Sequence, residues 1–354
     1  MMDSLNRRSF LKGAAMGLAL AGGGSTVFTA CGSDSKGSNP ADKEAFGALN
    51  WQLAWIKDAQ FGGSYIADNK GYYRSNGFES VNFIAGGPTV VPVPVVVSGK
   101  AFVTLAAAEQ VASAILQGAD VVTIATLYQK NAMGLMSLAK SPITKPEDMA
   151  GKRIGVQTTN TGIFAAFLAS NDMKPEDVKS VPVQFDPAPL TNGDVDGLLC
   201  LVTRQPVALE LQGYKTNSWL FSDFNYPKMD GLYVVTKDTL AKHRDKVKAV
   251  LKSEIQGWRD QVRDPSIGAQ LAVEKYGSDL GLNIKSELAT ATAQKPLMLT
   301  DRTKTEGLLS NTAELREQTV ASLALGGLDL PADRMFDPSV LDEVYAENPE
   351  LRQV

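Results

Sequence analysis

From Leu49 onward, apolar residues fall into two alternating rhythms. Short runs rich in β-branched and aromatic residues read as strands, and stretches whose apolar positions return every three or four residues read as helices. This pattern predicts strands at Trp51–Ile56, Ser80–Ala85, Ala101–Leu105 and Val121–Leu127, with helices at Phe61–Ser75 and Ala107–Gln117 between them. A second round follows, with strands Met133–Ala139, Arg153–Gln157, Val181–Phe185, Leu198–Val202 and Leu232–Thr236 and helices near 161–170 and 206–212. Pro146-Glu147-Asp148 and Pro175-Glu176-Asp177 read as helical first turns, proline leading and acids at the positive end of the dipole. In the last third, Val247, Val250, Leu251, Ile255, Trp258 and Val262 mark one face of a long helix, and further helices are expected at roughly 266–277, 284–295, 307–324 and 338–346.

Strands alternating with helices indicate an α/β fold with largely parallel sheets. The alternation restarts after Lys140, and strand Leu232–Thr236 and the helical tail lack partners within the second round. Two lobes are therefore expected: residues 47–127 plus 237–354 as the first and 128–236 as the second, with the C-terminal helices returning to the first. A cleft between two such lobes suits a small ligand.

Residues 1–30 read as an export signal rather than as part of the fold. Asn6-Arg7-Arg8-Ser9-Phe10-Leu11-Lys12 matches the twin-arginine motif, with Arg7 and Arg8 its core. The Gly/Ala-rich run that follows is too weakly apolar for a spanning helix. It ends in Phe28-Thr29-Ala30-Cys31-Gly32, which resembles a bacterial lipobox and implies cleavage before Cys31 and lipid attachment to its thiol. Phe28 stands where leucine is commoner. The polar stretch 31–46 has the composition of a flexible tether. The chain is thus expected on the outer face of a bacterial cytoplasmic membrane or in the periplasm.

Composition narrows the chemistry. A net charge of −4, shifting to −6 once Asp3, Arg7, Arg8 and Lys12 are removed, argues against a nucleic-acid partner. Cys31, Cys200 and the single His243 leave no material for a metal cage, and cleavage would leave Cys200 as the one unmodified thiol. His243 sits among surface charges and gives a serine nucleophile no base. There is no G-x-S-x-G elbow and no G-x-x-x-x-G-K-[ST] phosphate loop. No cofactor is expected.

Candidate ligand contacts lie where strands end, because open α/β sheets bind at their carboxyl edges. Trp55, Gln60, Phe61 and Tyr65 follow the first strand, while Thr104 and Glu109 flank the small residues after the third. Thr158, Thr159 and Asn160 open a helix, where free N–H groups favour an oxygen. Thr203 and Gln205 follow a later strand, and Gly87 lies in a Gly86-Gly87-Pro88 turn that serves either as a bend or as a close backbone approach. Trp55 and Phe61 admit two readings, as ring contacts for a ligand or as core. Lys57 and Arg204 keep an anionic ligand open.

An ordered set of segments carries a family resemblance across about 49–265. They are Asn50-Trp51, Lys70-Gly71-Tyr72-Tyr73, Gly77-Phe78, Gly86-Gly87-Pro88, Ser98-Gly99-Lys100, Gly151 to Val156, Phe185-Asp186, Pro189-Leu190 and Val195-Asp196-Gly197. Together they resemble the solute-binding lipoproteins of ABC importers related to binders of thiamine pyrimidine precursors, riboflavin and sulfonates. The resemblance implies a two-lobe periplasmic-binding-protein fold (type II), a monomer with a small heterocyclic or, alternatively, sulfonate- or nitrate-like ligand, and an ABC permease with its ATPase as partners. Val91-Pro92-Val93-Pro94 is unusual within it, since prolines break helix interiors. One relative of this family is an enzyme, a thiamine pyrimidine synthase that uses a lysine, a histidine and a cysteine motif. The resemblance places Ala106 and Gln110 at the lysine and histidine positions, and the stretch before Tyr233 has no cysteine.

Overall fold

The computed structural model describes residues 46–87 and 89–354. Arg7, Arg8, Cys31 and nearly all of the expected tether lie outside the described residues. Among the described residues, ten strands form two sheets of five: β1 (Ala48–Gln52), β2 (Ser80–Ile84), β3 (Val103–Ala106), β4 (Val121–Tyr128), β5 (Met133–Leu138), β6 (Arg153–Gln157), β7 (Lys179–Val183), β8 (Gly197–Leu201), β9 (Thr216–Leu220) and β10 (Asp230–Thr236). Their orders are β2-β1-β3-β10-β4 and β7-β6-β8-β5-β9. In each sheet the first three are parallel, and β10 or β5 runs antiparallel to both neighbours.

The two reversed strands have one cause. Each begins directly after the chain crosses between sheets, so it enters from the edge at which the other strands exit. Residues 230–236, expected with the second lobe, accordingly complete the first sheet by pairing with β3 and β4. Tyr128, the last residue of β4, also belongs to the first sheet.

Local chemistry explains the other departures from the hydrophobic pattern. The helix expected over Phe61–Ser75 is two, Gly62–Asn69 and Tyr72–Ser75, because Gly71 adopts φ 74°, which ends the first and turns the chain into the second. Pro92–Val97 is helical despite its prolines: Pro92 and Pro94 lie in the first turn, whose N–H groups have no intrahelical partner to lose. The tail segment expected at 307–324 is helical only over Ala313–Leu325, and β9 carries too little apolar alternation to stand out.

The first sheet is covered by helix Arg244–Arg263, whose Val247, Val250, Leu251, Ile255, Trp258 and Val262 are all buried. It lies close on Gly62–Asn69 because glycines face each other there: a Cβ at Gly63 would fall 2.2 Å from the Trp258 ring. Within this contact Glu254, fully buried, accepts hydrogen bonds from Ser64 (2.8 Å), Tyr233 (2.6 Å), Trp258 (2.9 Å) and Tyr73. The second sheet builds its core from Leu135, Ile154, Phe164, Phe167, Leu199 and Phe221, with Phe167 and Phe221 stacked at 3.8 Å. Buried Cys200 sits in a neighbouring apolar cluster, where burial pushes its thiol up. Among the described residues no helix is long and apolar enough to cross a membrane.

Candidate functional site

A cavity of about 430 Å³ opens between the two sheets, within the range of small-molecule sites. Its first wall comes from the chain leaving β1 (Ala54, Trp55, Gln60, Phe61) and β3 (Ala107, Gln110). Leu127 and Tyr128 at the end of β4 and Asp230 and Gly231 at the start of β10 form the back, where the chain crosses between sheets. The second wall is Phe185 beyond β7 and Leu201, Arg204 and Gln205 around the end of β8. The cavity is thus built largely on carboxyl ends of strands. Gly86 helps shape it: its N–H donates to the Trp55 carbonyl at 2.8 Å, and a Cβ there would fall 2.5 Å from the Leu53 carbonyl.

One ion pair spans the two walls. Arg204 of the second lobe donates through Nη2 to Asp58 Oδ2 of the first, and the Asp58 side chain is only 1% exposed. Asp58 is oriented locally, since its Oδ1 accepts the Gln60 N–H at 3.1 Å and caps the turn that carries Gln60 and Phe61. Glu287 accepts the Ala59 N–H at 2.8 Å alongside. Burial drives the Asp58 carboxyl above the ordinary carboxylate range, with the Arg204 charge opposing it. Burial works against the Arg204 charge, but Asp58, with Glu287 and Tyr128, outweighs this and holds the guanidinium above its usual range.

A second charged group stands behind the cavity. Lys228, 1% exposed, pairs with Glu109, and Asn131 donates to Asp230 Oδ2 at 2.7 Å. Burial pushes Asp230 up to about 6, against the pull of Lys228.

Of the sequence candidates, Trp55, Gln60, Phe61 and Gln205 line this cavity. Gln205 is anchored there, accepting the Leu201 N–H at 3.0 Å. Tyr65, Gly87, Thr104, Glu109, Thr158, Thr159, Asn160 and Thr203 are not among its lining residues. Tyr65 is fully buried with its ring stacked on Tyr276 at 4.3 Å, and Thr104 spends its hydroxyl on the Gln52 carbonyl at 2.8 Å inside the first sheet. Glu109 is held by Lys228, Asn160 donates to Gln157 at 2.9 Å, and Thr158 and Thr159 are exposed. Thr203 and Gly87 are buried.

Tyr128, Phe185 and Asp230 are lining residues that the sequence reading passed over. Tyr128 and Phe185 do follow the strand-end rule, at the ends of β4 and of the segment after β7. Asp230 opens a strand, so only the reversal of β10 brings it to the cleft.

The fold is similar to that of solved proteins. The periplasmic aliphatic sulphonate binding protein SsuA of Escherichia coli superposes with a TM-score of 0.64 at 16% identity, over 82% of this chain and 92% of that one. Among curated sequences, riboflavin-binding protein RibY of Chloroflexus aurantiacus is 26% identical over 267 residues, 70% of this chain and 74% of the relative. The 4-amino-5-hydroxymethyl-2-methylpyrimidine phosphate synthase of Schizosaccharomyces pombe is 27% identical over 215 residues, 57% of this chain and 62% of the relative. The family model described as NMT1/THI5 like matches residues 58–267, more than half of the chain and all of the cavity lining except Ala54 and Trp55. On that match the chain belongs to the NMT1/THI5-like family.

Proposed function

We propose that this protein captures a small uncharged heterocycle outside the cytoplasm and hands it to an ABC importer. The observation that carries this reading is the cavity itself: the aromatic residues Trp55, Tyr128 and Phe185 line it, Phe61 reaches it from the core at 2% exposure, and Gln60, Gln110 and Gln205 bring amide groups to the lining. Aromatic walls bury a planar ring, while a few fixed polar groups orient it. The binding proteins in the comparisons, RibY and SsuA, support capture rather than catalysis. The cavity residues point the same way. Ala106 and Gln110, which the family resemblance puts at the synthase's lysine and histidine positions, both line the cavity, and neither can form a Schiff base.

The test is a thermal-shift screen with riboflavin, thiamine, aminopyrimidines and alkanesulfonates, since a ligand at 100 times its dissociation constant adds about 2.7 kcal/mol of stability. Stabilisation by a heterocycle supports the reading, and stabilisation by sulfonates alone rejects it. Attachment is part of the proposal: Cys31 carries the lipid and Arg7-Arg8 directs export. Cys31→Ser should then release the protein from membranes or leave an uncleaved precursor, whereas a wild type found wholly in the medium would contradict the anchor.

A further inference from the structure

We propose that Asp58 sets the ligand class of the cavity. It holds Arg204 in the cross-lobe ion pair and so withdraws the one cation among the lining residues from ligand binding. This rests on the small-molecule reading of the same cavity and sharpens it: the site takes uncharged or cationic molecules and turns away sulfonates and other oxyanions.

A guanidinium at the end of a strand, facing a cleft, is ordinarily the group that receives a sulfonate or carboxylate through paired N–H donors. Here that role is already filled from inside the protein. Asp58 is almost entirely buried, and it reaches Arg204 from the opposite lobe while its other oxygen caps the turn below. An incoming anion would have to displace it, leaving a buried carboxylate with no counter-ion, which is strongly unfavourable.

The surroundings reinforce the exclusion. The Glu287 carboxylate lies close enough to interact electrostatically with both members of the pair, and Asp230 adds a carboxylate to the cavity lining. The neighbouring buried cation, Lys228, is taken by Glu109. Among the lining residues no uncommitted positive charge is left for an anion.

The experiment is calorimetric titration of the full-length protein with butanesulfonate and, separately, with riboflavin. Asp58→Asn keeps a side-chain oxygen to cap the turn and removes the charge that occupies Arg204. It should bind butanesulfonate at least tenfold more tightly than wild type, and adding Arg204→Gln should abolish the gain. Asp58→Ser, a second capping residue without charge, should show the same gain and guards against a folding defect peculiar to the asparagine. Wild type binding butanesulfonate as tightly as these variants, or no gain in either, overturns the proposal. The riboflavin titration reports on the other question: its failure in wild type counts against a flavin ligand, while the sulfonate comparison still decides what Asp58 does.

Discussion

At Asp230, burial and charge meet in a single carboxyl. Its folded-state value of about 6 lies above the ordinary carboxylate range, so the native protein binds this proton more tightly than the unfolded chain does. Between pH of about 4 and about 6 the native state therefore holds more protons, and this group's contribution to stability falls as pH rises through that window. Asp230→Asn should accordingly gain on wild type as pH rises from 4 to 6 and hold a constant margin above it, measured as melting temperature against pH. A margin that shrinks over that range contradicts the burial argument. Trp55 presents the other residue-level question. It is half-buried and lines the cavity, so Trp55→Ala should weaken binding of a stabilising heterocycle more than tenfold, about 1.4 kcal/mol, with little change in melting temperature. Lowered melting with unchanged affinity would make it a packing residue instead.

At the scale of elements, helix Arg244–Arg263 organises the first lobe through one polar hub and one close approach. Glu254 satisfies four donors from three other elements and its own helix, so Glu254→Leu would leave Ser64, Tyr73 and Tyr233 without their buried acceptor, and Trp258 with only the Tyr233 hydroxyl. The expected loss is about 3 kcal/mol in denaturant unfolding, with Glu254→Gln costing less because it still accepts. Wild-type stability in the leucine variant would reject the hub. The close approach is as demanding: Gly63→Ala puts a methyl against the Trp258 ring and should cost about 1–3 kcal/mol as overpacking.

Across the whole molecule, the lobes meet at more than the cleft. Helix Ala313–Leu325 ties the crossing chain, with the Thr319 hydroxyl accepting the Met229 N–H at 3.1 Å and Ser322 donating to the Pro227 carbonyl at 2.7 Å. The same helix packs on Thr161–Ser170 of the second lobe. The closing motion expected on ligand binding is hinge rotation about the crossings. A ligand that stabilises the protein should then reduce its radius of gyration in X-ray scattering, and an unchanged profile at saturation would mean a rigid cleft.

The α/β class, the two lobes and most strands were legible in the chain because hydrophobic periodicity is local: each face is written in neighbouring residues. Trp55, Gln60, Phe61 and Gln205 were legible for a related reason, since strand ends face the cleft in such sheets. What the sequence could not contain is which charges meet. Arg204 stands 146 residues from Asp58 and Lys228 stands 119 from Glu109, and nothing near any of the four marks its partner. The reversal of β10 likewise brings Asp230 to a cavity that its place at the start of a strand would have kept it from. The sequence by itself thus determined the sheets, the lobes and the share of the cavity lining that Trp55, Gln60, Phe61 and Gln205 supply. Only the tertiary structure decided that the cavity's cation is already paired, because ion pairing depends on distances that the crossing of the chain creates.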